Sequence, residues 1–348
     1  MRPLRHTAWG AVLAAAAVIA PAAPASAVTT DLGTLPGGTQ SSATGVNSAG
    51  LTVGWARLSA NATYATRWDT QGAISRLAAP QGSTGSEALA VNDAGVIVGD
   101  ATGSNGQEPV RWNADGTVTR LAAPPGGKGG VAQAVSGNGY VAGLTYDATS
   151  GLRRAARWNP DGSATALPPL PGDRQAWALG VNSSGVAVGV SLSSGLRLRP
   201  VRWNPDGTAQ ELPVLPGGTA GRANGLNDNG EIVGMSGVST AMGPRQLVPV
   251  RWKADGTVSA LPALGGDDGG EATAVSGLGV VVGESTKGGL NPRAVRWSSD
   301  GVATDLGAPA GGGNACVPAS VNVSGTTVGE CGVNDPQDAT LFHAVRWN

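Results

Sequence analysis

Five side chains interrupt an otherwise regular repeat and are the first candidates for ligand binding. Glu87, Trp177, Arg222 and Glu271 each stand five residues before an Asn or Ser that recurs along the chain. Trp55 joins them because it lies outside the Arg-Trp pairs that hold most of the other tryptophans. Residues that break a repeat without an evident packing benefit resemble an added binding site. A tryptophan beside charged groups suits a sugar, whereas ordinary solvated surface residues are the alternative interpretation.

Residues for acid–base or covalent catalysis are scarce. After residue 27 the sequence holds one histidine, His343, which argues against a His-based triad. No metal-binding cluster or phosphate loop is visible, since the Pro-Gly-Gly turns are not followed by helical patterns. Glu284 and Glu330 occupy equivalent positions in successive repeats, and such a carboxylate pair could hydrolyse glycosides. The sequence therefore favours a non-enzymatic protein without cofactor or metal, with glycoside hydrolysis as an alternative.

The elements that must position these residues follow from the repeat. Arg-Trp pairs recur seven times at intervals of 44 to 50 residues, a period typical of four-stranded propeller blades. Each repeat contains short apolar runs separated by Asn, Asp and Gly turns, without a helical period. We predict an all-β, seven-bladed β-propeller. The paired tryptophans are Trp68, Trp112, Trp158, Trp203, Trp252, Trp297 and Trp347.

The two ends of the sequence predict how the ring closes. The sequence ends at Asn348, directly after the last Arg-Trp pair, so the seventh repeat lacks its fourth strand. A spare fourth strand stands near the start, where Asp31–Gly38 matches Glu211–Gly218 of an internal repeat. We expect this N-terminal strand to complete the last blade and to remove an open sheet edge. Residues 28–348 would then form a single domain.

The repeated Arg and Trp have structural explanations. Propeller blades pack face to face, so each Trp is expected to be an inter-blade wedge that buries roughly 150–250 Å². A ring of ligand-stacking tryptophans is the alternative. The preceding Arg cannot be buried without a partner. Its expected partners are the Asp of a hairpin turn, a neighbouring Trp, or solvent.

Length variation predicts which face binds a ligand. The turns between first and second strands and between third and fourth strands keep constant lengths, and almost all variation lies between second and third strands. These variable loops emerge where the innermost strands begin, which is also where the non-repeating charged residues are expected. We therefore predict a binding site at this mouth of the central channel, with Trp177 as its anchor.

Two phrases recur through the repeats. Asp31–Trp55 and Ala223–Gly234 follow a pattern close to LGxLPGG and GINDxGxVVG, and His343–Trp347 reads HAVRW. In these phrases the chain resembles the HAF-repeat family of extracellular proteins, whose second phrase is HAFLW. The resemblance covers about residues 29–348 and implies export and a propeller-like repeat fold. It implies no activity and no catalytic residue.

The N-terminus indicates export. Residues 1–27 combine a basic start, a short apolar run and an Ala-Ser-Ala cleavage site, as secretory signal peptides do. The apolar run is short for a membrane span, and no later segment is long and apolar enough to be one. We predict a secreted, extracellular mature chain that begins near Val28.

The two cysteines, Cys316 and Cys331, are expected to form a disulfide in an oxidising compartment. They flank a predicted hairpin in which Val321 faces Thr326. That register places the cysteines opposite each other unless a bulge shifts it by one residue.

Composition limits the partners. The net charge is −1 and Lys and Arg are scattered, which argues against nucleic acid. We predict a monomeric, non-enzymatic binding or scaffold module of the cell exterior, whose unknown ligand is a glycan or a protein. A carbohydrate-binding, lectin-like propeller is the second hypothesis, and a glycoside hydrolase using rim carboxylates is the third.

Overall fold

The computed structural model describes residues 28–59, 62–240, 243–334 and 341–348, so the predicted signal peptide lies outside it. The described residues form strands, turns and loops, and none of them belongs to a helix that could span a membrane. Their strands make seven antiparallel four-stranded sheets, one for each blade.

The first four blades follow the chain from the channel outward. Blade one contains β2 (Gln40–Val46), β3 (Thr52–Ser59), β4 (Ala62–Trp68) and β5 (Ile74–Arg76). Blade two contains β6 (Ser83–Val91), β7 (Ile97–Gly103), β8 (Gly106–Trp112) and β9 (Val118–Arg120). Blade three contains β10 (Gly127–Val135), β11 (Val141–Asp147), β12 (Arg153–Trp158) and β13 (Ala164–Leu167). Blade four contains β14 (Gln175–Val181), β15 (Ala187–Leu192), β16 (Leu198–Trp203) and β17 (Ala209–Glu211).

The last blade borrows a strand from the other end of the chain. Blade five contains β18 (Ala220–Leu226), β19 (Ile232–Thr240), β20 (Gly243–Trp252) and β21 (Val258–Ala260). Blade six contains β22 (Gly269–Val275), β23 (Val281–Lys287), β24 (Leu290–Trp297) and β25 (Ala303–Asp305). Blade seven contains β26 (Gly312–Val321), β27 (Thr327–Val333), β28 (Phe342–Trp347) and, outermost, β1 (Thr29–Gly33).

Strand β1 closes the ring. It runs antiparallel to β28, with Thr29 opposite Trp347 and Asp31 opposite Val345. Leu32 of β1 is buried in the apolar core between blades seven and one. The predicted seven-bladed propeller, completed by its N-terminal strand, is therefore confirmed.

The tryptophans of the Arg-Trp pairs lie between blades. All seven are only 0–3 % exposed. Each indole N–H donates to a backbone carbonyl near the fourth strand of the preceding blade. Trp68, for example, donates to Leu32 O at 2.9 Å. The wedge interpretation is confirmed, and the alternative of a ligand-stacking ring is wrong because buried rings cannot reach a ligand.

Arginines of several of the same pairs connect their blade to the next blade. Arg157 donates to the carbonyl oxygens of Gly185 and Pro205, at 2.6 and 2.9 Å. Arg251 and Arg346 make equivalent bonds to turns of the following blade. The expected partners of these arginines were a hairpin Asp, a Trp or solvent. The three residues donate to backbone carbonyl oxygens instead. The planar guanidinium presents five donors, so one side chain can satisfy two turns at once.

The recurring Asn does more than shape a hairpin. Asn92 Oδ1 accepts the N–H of Val96 within its own turn at 3.0 Å, as an Asn-x-x-Gly turn predicts. Its Nδ2 also donates to Ser136 O of the next blade at 2.9 Å. Asn322 reaches Asn47 O at 2.9 Å and joins blade seven to blade one. These amide bonds hold neighbouring innermost strands together at the hairpin face.

Cys316 and Cys331 are joined by a disulfide within blade seven, as predicted. The hairpin register behind that prediction is wrong, because Val321 lies opposite Thr327 rather than Thr326. A β-bulge between Pro318 and Ser320 shifts the pairing by one residue and brings the cysteines back into register.

Candidate functional site

A central channel runs between the innermost strands. Its middle section encloses about 220 Å³. The side chains three positions before the Asn or Ser marker line it, and the sequence analysis missed them. Their variation between repeats was an available signal, because a position with a constant packing role would have stayed constant. The residues are Thr44, Leu89, Gln133, Leu179, Asn224, Thr273 and Ala319.

The channel widens into a cavity of about 450 Å³ at the mouth where the innermost strands begin. Two of the predicted binding residues, Arg222 and Glu271, line this cavity. Glu87, Trp177 and Trp55 do not. Leu179 of blade four and Val317 of blade seven give the cavity apolar wall. The full lining consists of Gln133, Leu179, Arg222, Asn224, Glu271, Thr273, Glu284 and Val317.

Glu271 is held in place by donors from blade five. Its side chain belongs to β22 of blade six and the residue is 7 % exposed. Oε1 accepts hydrogen bonds from Arg222 Nε at 3.0 Å and from a terminal Arg222 nitrogen at 2.5 Å. Asn224 Nδ2 donates to the same oxygen at 2.5 Å. Among the described residues Oε2 has no hydrogen-bond partner, so this oxygen can accept a donor from a ligand.

Glu284 supplies a second carboxylate beside Glu271. The two residues stand directly opposite each other on β23 and β22. Burial raises the pKa of Glu284, the negative charge of Glu271 raises it further, and Arg222 partly opposes both. The Glu284 carboxylate has no hydrogen-bond partner among the described residues. It is therefore an unused acceptor that lies partly enclosed in the cavity.

A second carboxylate pair lies in blade two. Glu87 on β6 faces Asp100 on β7. Burial and the neighbouring Glu87 raise the pKa of Asp100 to about 7, although Gln107 Nε2 donates to its Oδ2 at 3.1 Å. Burial also raises the pKa of Glu87, against the opposing charge of Arg57. Asp100 therefore keeps its proton to a higher pH than an ordinary aspartate does.

Strand pairing gives Glu284 and Glu330, the carboxylates considered as an alternative pair, different partners. Glu284 faces Glu271, whereas Glu330 faces Val317 across β27 and β26. Burial raises the pKa of Glu330, and a hydrogen bond with Ser42 opposes the shift. The residue that faces a candidate such as Glu271 across the hairpin directly follows a Gly of the second strand, as Glu284 follows Gly283. Hairpin register could therefore have predicted these pairs from the sequence.

The two candidate tryptophans already have partners of their own. The Arg153 guanidinium lies over the ring of Trp177, 5.2 Å from its centroid. Trp55 packs edge-to-face against Phe342 at 5.6 Å, and Arg57 lies 5.7 Å from its ring centroid. Both tryptophans are only partly exposed. Any sugar that stacks on Trp177 must use the ring face that Arg153 leaves open.

No protein-family model and no curated protein matches this sequence. Solved structures of propeller proteins do match its fold. A streptogramin B lyase structure superposes with a TM-score of 0.58 at 15% identity, covering 93% of this chain and 98% of the lyase. Virginiamycin B lyase from Staphylococcus aureus, in an inactive form with quinupristin, gives 0.56 at 13% identity over 92% and 99%. A puromycin hydrolase gives 0.57 at 16% identity, covering 88% of this chain and 51% of the hydrolase. At these identities the similarity establishes the propeller fold alone.

Proposed function

We propose that this protein is a secreted, non-enzymatic binding module that holds a hydroxyl-rich ligand, such as a glycan, at the mouth of its channel. One observation carries the proposal. In the cavity the Glu271 carboxylate is fixed by hydrogen bonds from two side chains of the neighbouring blade, Arg222 and Asn224. Beside it lies Glu284, whose carboxylate has no hydrogen-bond partner among the described residues. An arrangement of this kind is ready to accept donors from a ligand.

The lining explains why a polyol fits better than an apolar or an anionic molecule. Glu284 and Oε2 of Glu271 accept hydrogen bonds, which sugar hydroxyls donate. Gln133 and Asn224 can both donate and accept. Leu179 and Val317 offer apolar wall to the C–H groups of a sugar ring. Small-molecule sites commonly combine apolar wall with a few well-placed polar groups in this way.

We also propose that the protein is exported and that it is related to the HAF-repeat family. The signal-peptide pattern of residues 1–27 and the HAF-type phrases support a location outside the cell. A disulfide between Cys316 and Cys331 is compatible with an oxidising compartment. We propose a monomer, since every blade already has four strands and none is left for a second copy to complete.

A glycan array probed with the mature protein, residues 28–348, tests the binding proposal. Glycans that bind are then titrated by calorimetry against Glu284→Gln, which keeps the side-chain shape and removes the charge. Loss of a charged hydrogen bond should weaken binding about tenfold or more. Glu108→Gln, on the third strand of blade two, is the matched control and should change nothing. Failure to bind any glycan, or equal affinity for both variants, contradicts the proposal.

Glycoside hydrolysis remains a second candidate because of Glu87 and Asp100. Residues directly opposite on antiparallel strands place their Cβ atoms about 4.5–5.5 Å apart. Retaining glycosidases hold their two carboxyl groups about 5–5.5 Å apart, one as acid and one as nucleophile, and side chains on such neighbouring Cβ atoms can bring their carboxyl groups to that separation. The raised pKa of Asp100, about 7, would let it stay protonated as the acid. Release of a chromophore from nitrophenyl glycosides, abolished by Asp100→Asn, would establish this activity in place of simple binding.

A further inference from the structure

A second cavity opens between blades three and four, away from the channel mouth. It encloses about 410 Å³ and lies where the second-to-third-strand loop of blade three meets the start of β14. We call it the blade 3–4 crevice. Its lining residues are Asp147, Ser150, Leu152, Arg153, Arg154, Ala166, Leu167, Pro168, Pro169, Arg174 and Ala176.

The floor and one wall of the crevice are apolar and fixed. Leu167 and Ala176 are 2 % and 1 % exposed, so both are anchored in the core between the blades. Pro168 and Pro169 form the adjoining wall. The carbonyl of Pro168 accepts the indole N–H of Trp203 at 2.7 Å, which ties this wall to blade four. The crevice is therefore a preformed surface.

Positive charge dominates the other side of the crevice. Arg153, Arg154 and Arg174 all line it, against one carboxylate, Asp147. Hydrogen bonds from Ser150 and Thr149 hold the pKa of Asp147 below its usual value, so this group is ionised at neutral pH. It lies 3.5 Å from Arg154. Arg153 and Arg174 have no acidic partner among the described residues.

Blades four and six show what blade three lacks. Arg199 and Arg293 occupy the position of Arg154, four residues before the paired Trp. Arg199 is bound by Glu211 at 2.5 Å and by Asp173 at 3.2 Å. Arg293 has the equivalent acids, Asp305 at 3.1 Å and Asp267 at 3.0 Å.

In blade three both acids are replaced by residues without a charge. Ala166 stands eight residues after Trp158, where blades four and six have Glu211 and Asp305. Gly127 stands where they have Asp173 and Asp267. The small side chain of Ala166 also leaves part of the volume of the crevice open, because Ala166 lies in its lining.

We propose that the blade 3–4 crevice binds a small organic anion that carries a carboxylate and an apolar group. The ligand carboxylate takes the place that Glu211 and Asp305 occupy in the equivalent positions of blades four and six. Guanidinium groups match a carboxylate through paired hydrogen bonds. The apolar group packs on Leu152, Leu167 and the two prolines. This site is independent of the channel mouth and of the function proposed for it.

Hexanoate is a suitable probe, with acetate lacking the apolar group and hexylamine lacking the negative charge. Ligand-observed NMR and calorimetry on the mature protein should give saturable hexanoate binding at about 0.1–1 mM. Acetate should bind at least tenfold more weakly, and hexylamine should not bind. Equal binding of acetate and hexanoate, or no saturation with hexanoate, overturns the proposal.

Variants locate the site. Ala166→Glu restores the acid seen in blades four and six, so it should fold normally and reduce hexanoate binding at least tenfold. Arg174→Gln should reduce it several-fold, whereas Lys253→Gln on the hairpin face, an equal loss of charge, should not. Glu284→Gln should leave hexanoate binding unchanged, which separates this site from the channel mouth. Unchanged binding in Ala166→Glu overturns the assignment.

Discussion

Nδ1 of His343 lies 2.9 Å from Oδ2 of Asp31, although 312 positions separate the two residues in the chain. The contact joins β28 to β1 and so links the first described strand to the last. The hydrogen bond that His343 donates to Asp31 raises the pKa of His343, against the effect of burial. Burial acts to raise the pKa of Asp31, but hydrogen bonds from His343 and Gly33 N–H bring it below its usual value. The only His after residue 27 thus contributes to ring closure.

This pair predicts a pH window for its stabilisation. The His343 contribution is complete below the unfolded pKa of 6.5 and is lost as pH rises through the higher folded value. The Asp31 contribution is complete above 3.8 and is lost as pH falls through the lower folded value. We expect His343→Gln to lower the melting temperature most at pH 5.5 and least at pH 8.5. Equal losses at both pH values, measured by calorimetry, would show that the ion pair contributes nothing.

Removal of residues 29–35 should open the ring. The deletion exposes the edge of β28 and uncovers the apolar face that Leu32 protects, and Trp68 loses its indole partner. We expect a lower melting temperature and concentration-dependent self-association in light scattering. Leu32→Ala is the milder control, with a predicted loss of about 2–5 kcal/mol in unfolding free energy. A truncated protein that stayed monomeric with an unchanged melting temperature would contradict the role assigned to β1.

The disulfide should stabilise blade seven. Cys316 and Cys331 stand 15 residues apart, and a loop of that length contributes about 3 kcal/mol in the chain-entropy model. Replacing both cysteines by Ala should lower the urea midpoint accordingly without changing the slope. Thiol titration of the unfolded, unreduced protein provides the check on the bond itself, because two reactive thiols would mean that it does not form.

Asp100 should make the fold less stable at high pH. Its folded pKa of about 7 exceeds the unfolded value of 3.8, so its stabilising contribution is present at low pH and disappears as pH rises towards 7 and beyond. The change is on the order of 4 kcal/mol. Asp100→Asn should therefore be more stable than the wild type at pH 8 and show a flatter profile between pH 4 and 8. A variant that lost stability at pH 8 would mean that the carboxylate is not desolvated.

Trp177 and Arg222 test the predicted binding face. With a glycan that binds the wild type, Arg222→Ala should weaken binding strongly, because Glu271 loses two of the three hydrogen bonds that orient it. Trp177→Ala should weaken binding if the ring is the predicted anchor. Lys253→Gln, on the hairpin face, serves as the control. Unchanged affinity in both channel-mouth variants, with a loss in the control, would place the ligand on the opposite face.

Local spacing in the sequence was sufficient to predict the propeller. The signals were Arg-Trp pairs at intervals of 44 to 50 residues, Asn-x-x-Gly turns and the spare strand at Asp31–Gly38, and each concerns one blade or one hairpin. Strand pairing within a hairpin depends on residues close in sequence, so the seven blades and the Cys316–Cys331 pair followed from the pattern. Ring closure followed from counting strands, since one repeat lacked a strand that the start of the sequence supplied. In the hairpin of the two cysteines the predicted register was still wrong, because it contains a β-bulge that sequence spacing does not reveal.

Contacts between blades were decided by the tertiary structure alone. Arg222 and Glu271 meet although 49 positions separate them, and the side chain of Asn92 reaches the next blade. Glu284 and Glu330 were considered as a carboxylate pair because the two are equivalent in the repeat, a pattern that gives no distance between them. Equivalent residues are one blade apart, however, whereas residues opposed across a hairpin lie about 5 Å apart. The packing of the blades around the channel decides which charged side chains meet and which stay without a partner. A repeat pattern carries no information about the distance between side chains of neighbouring blades.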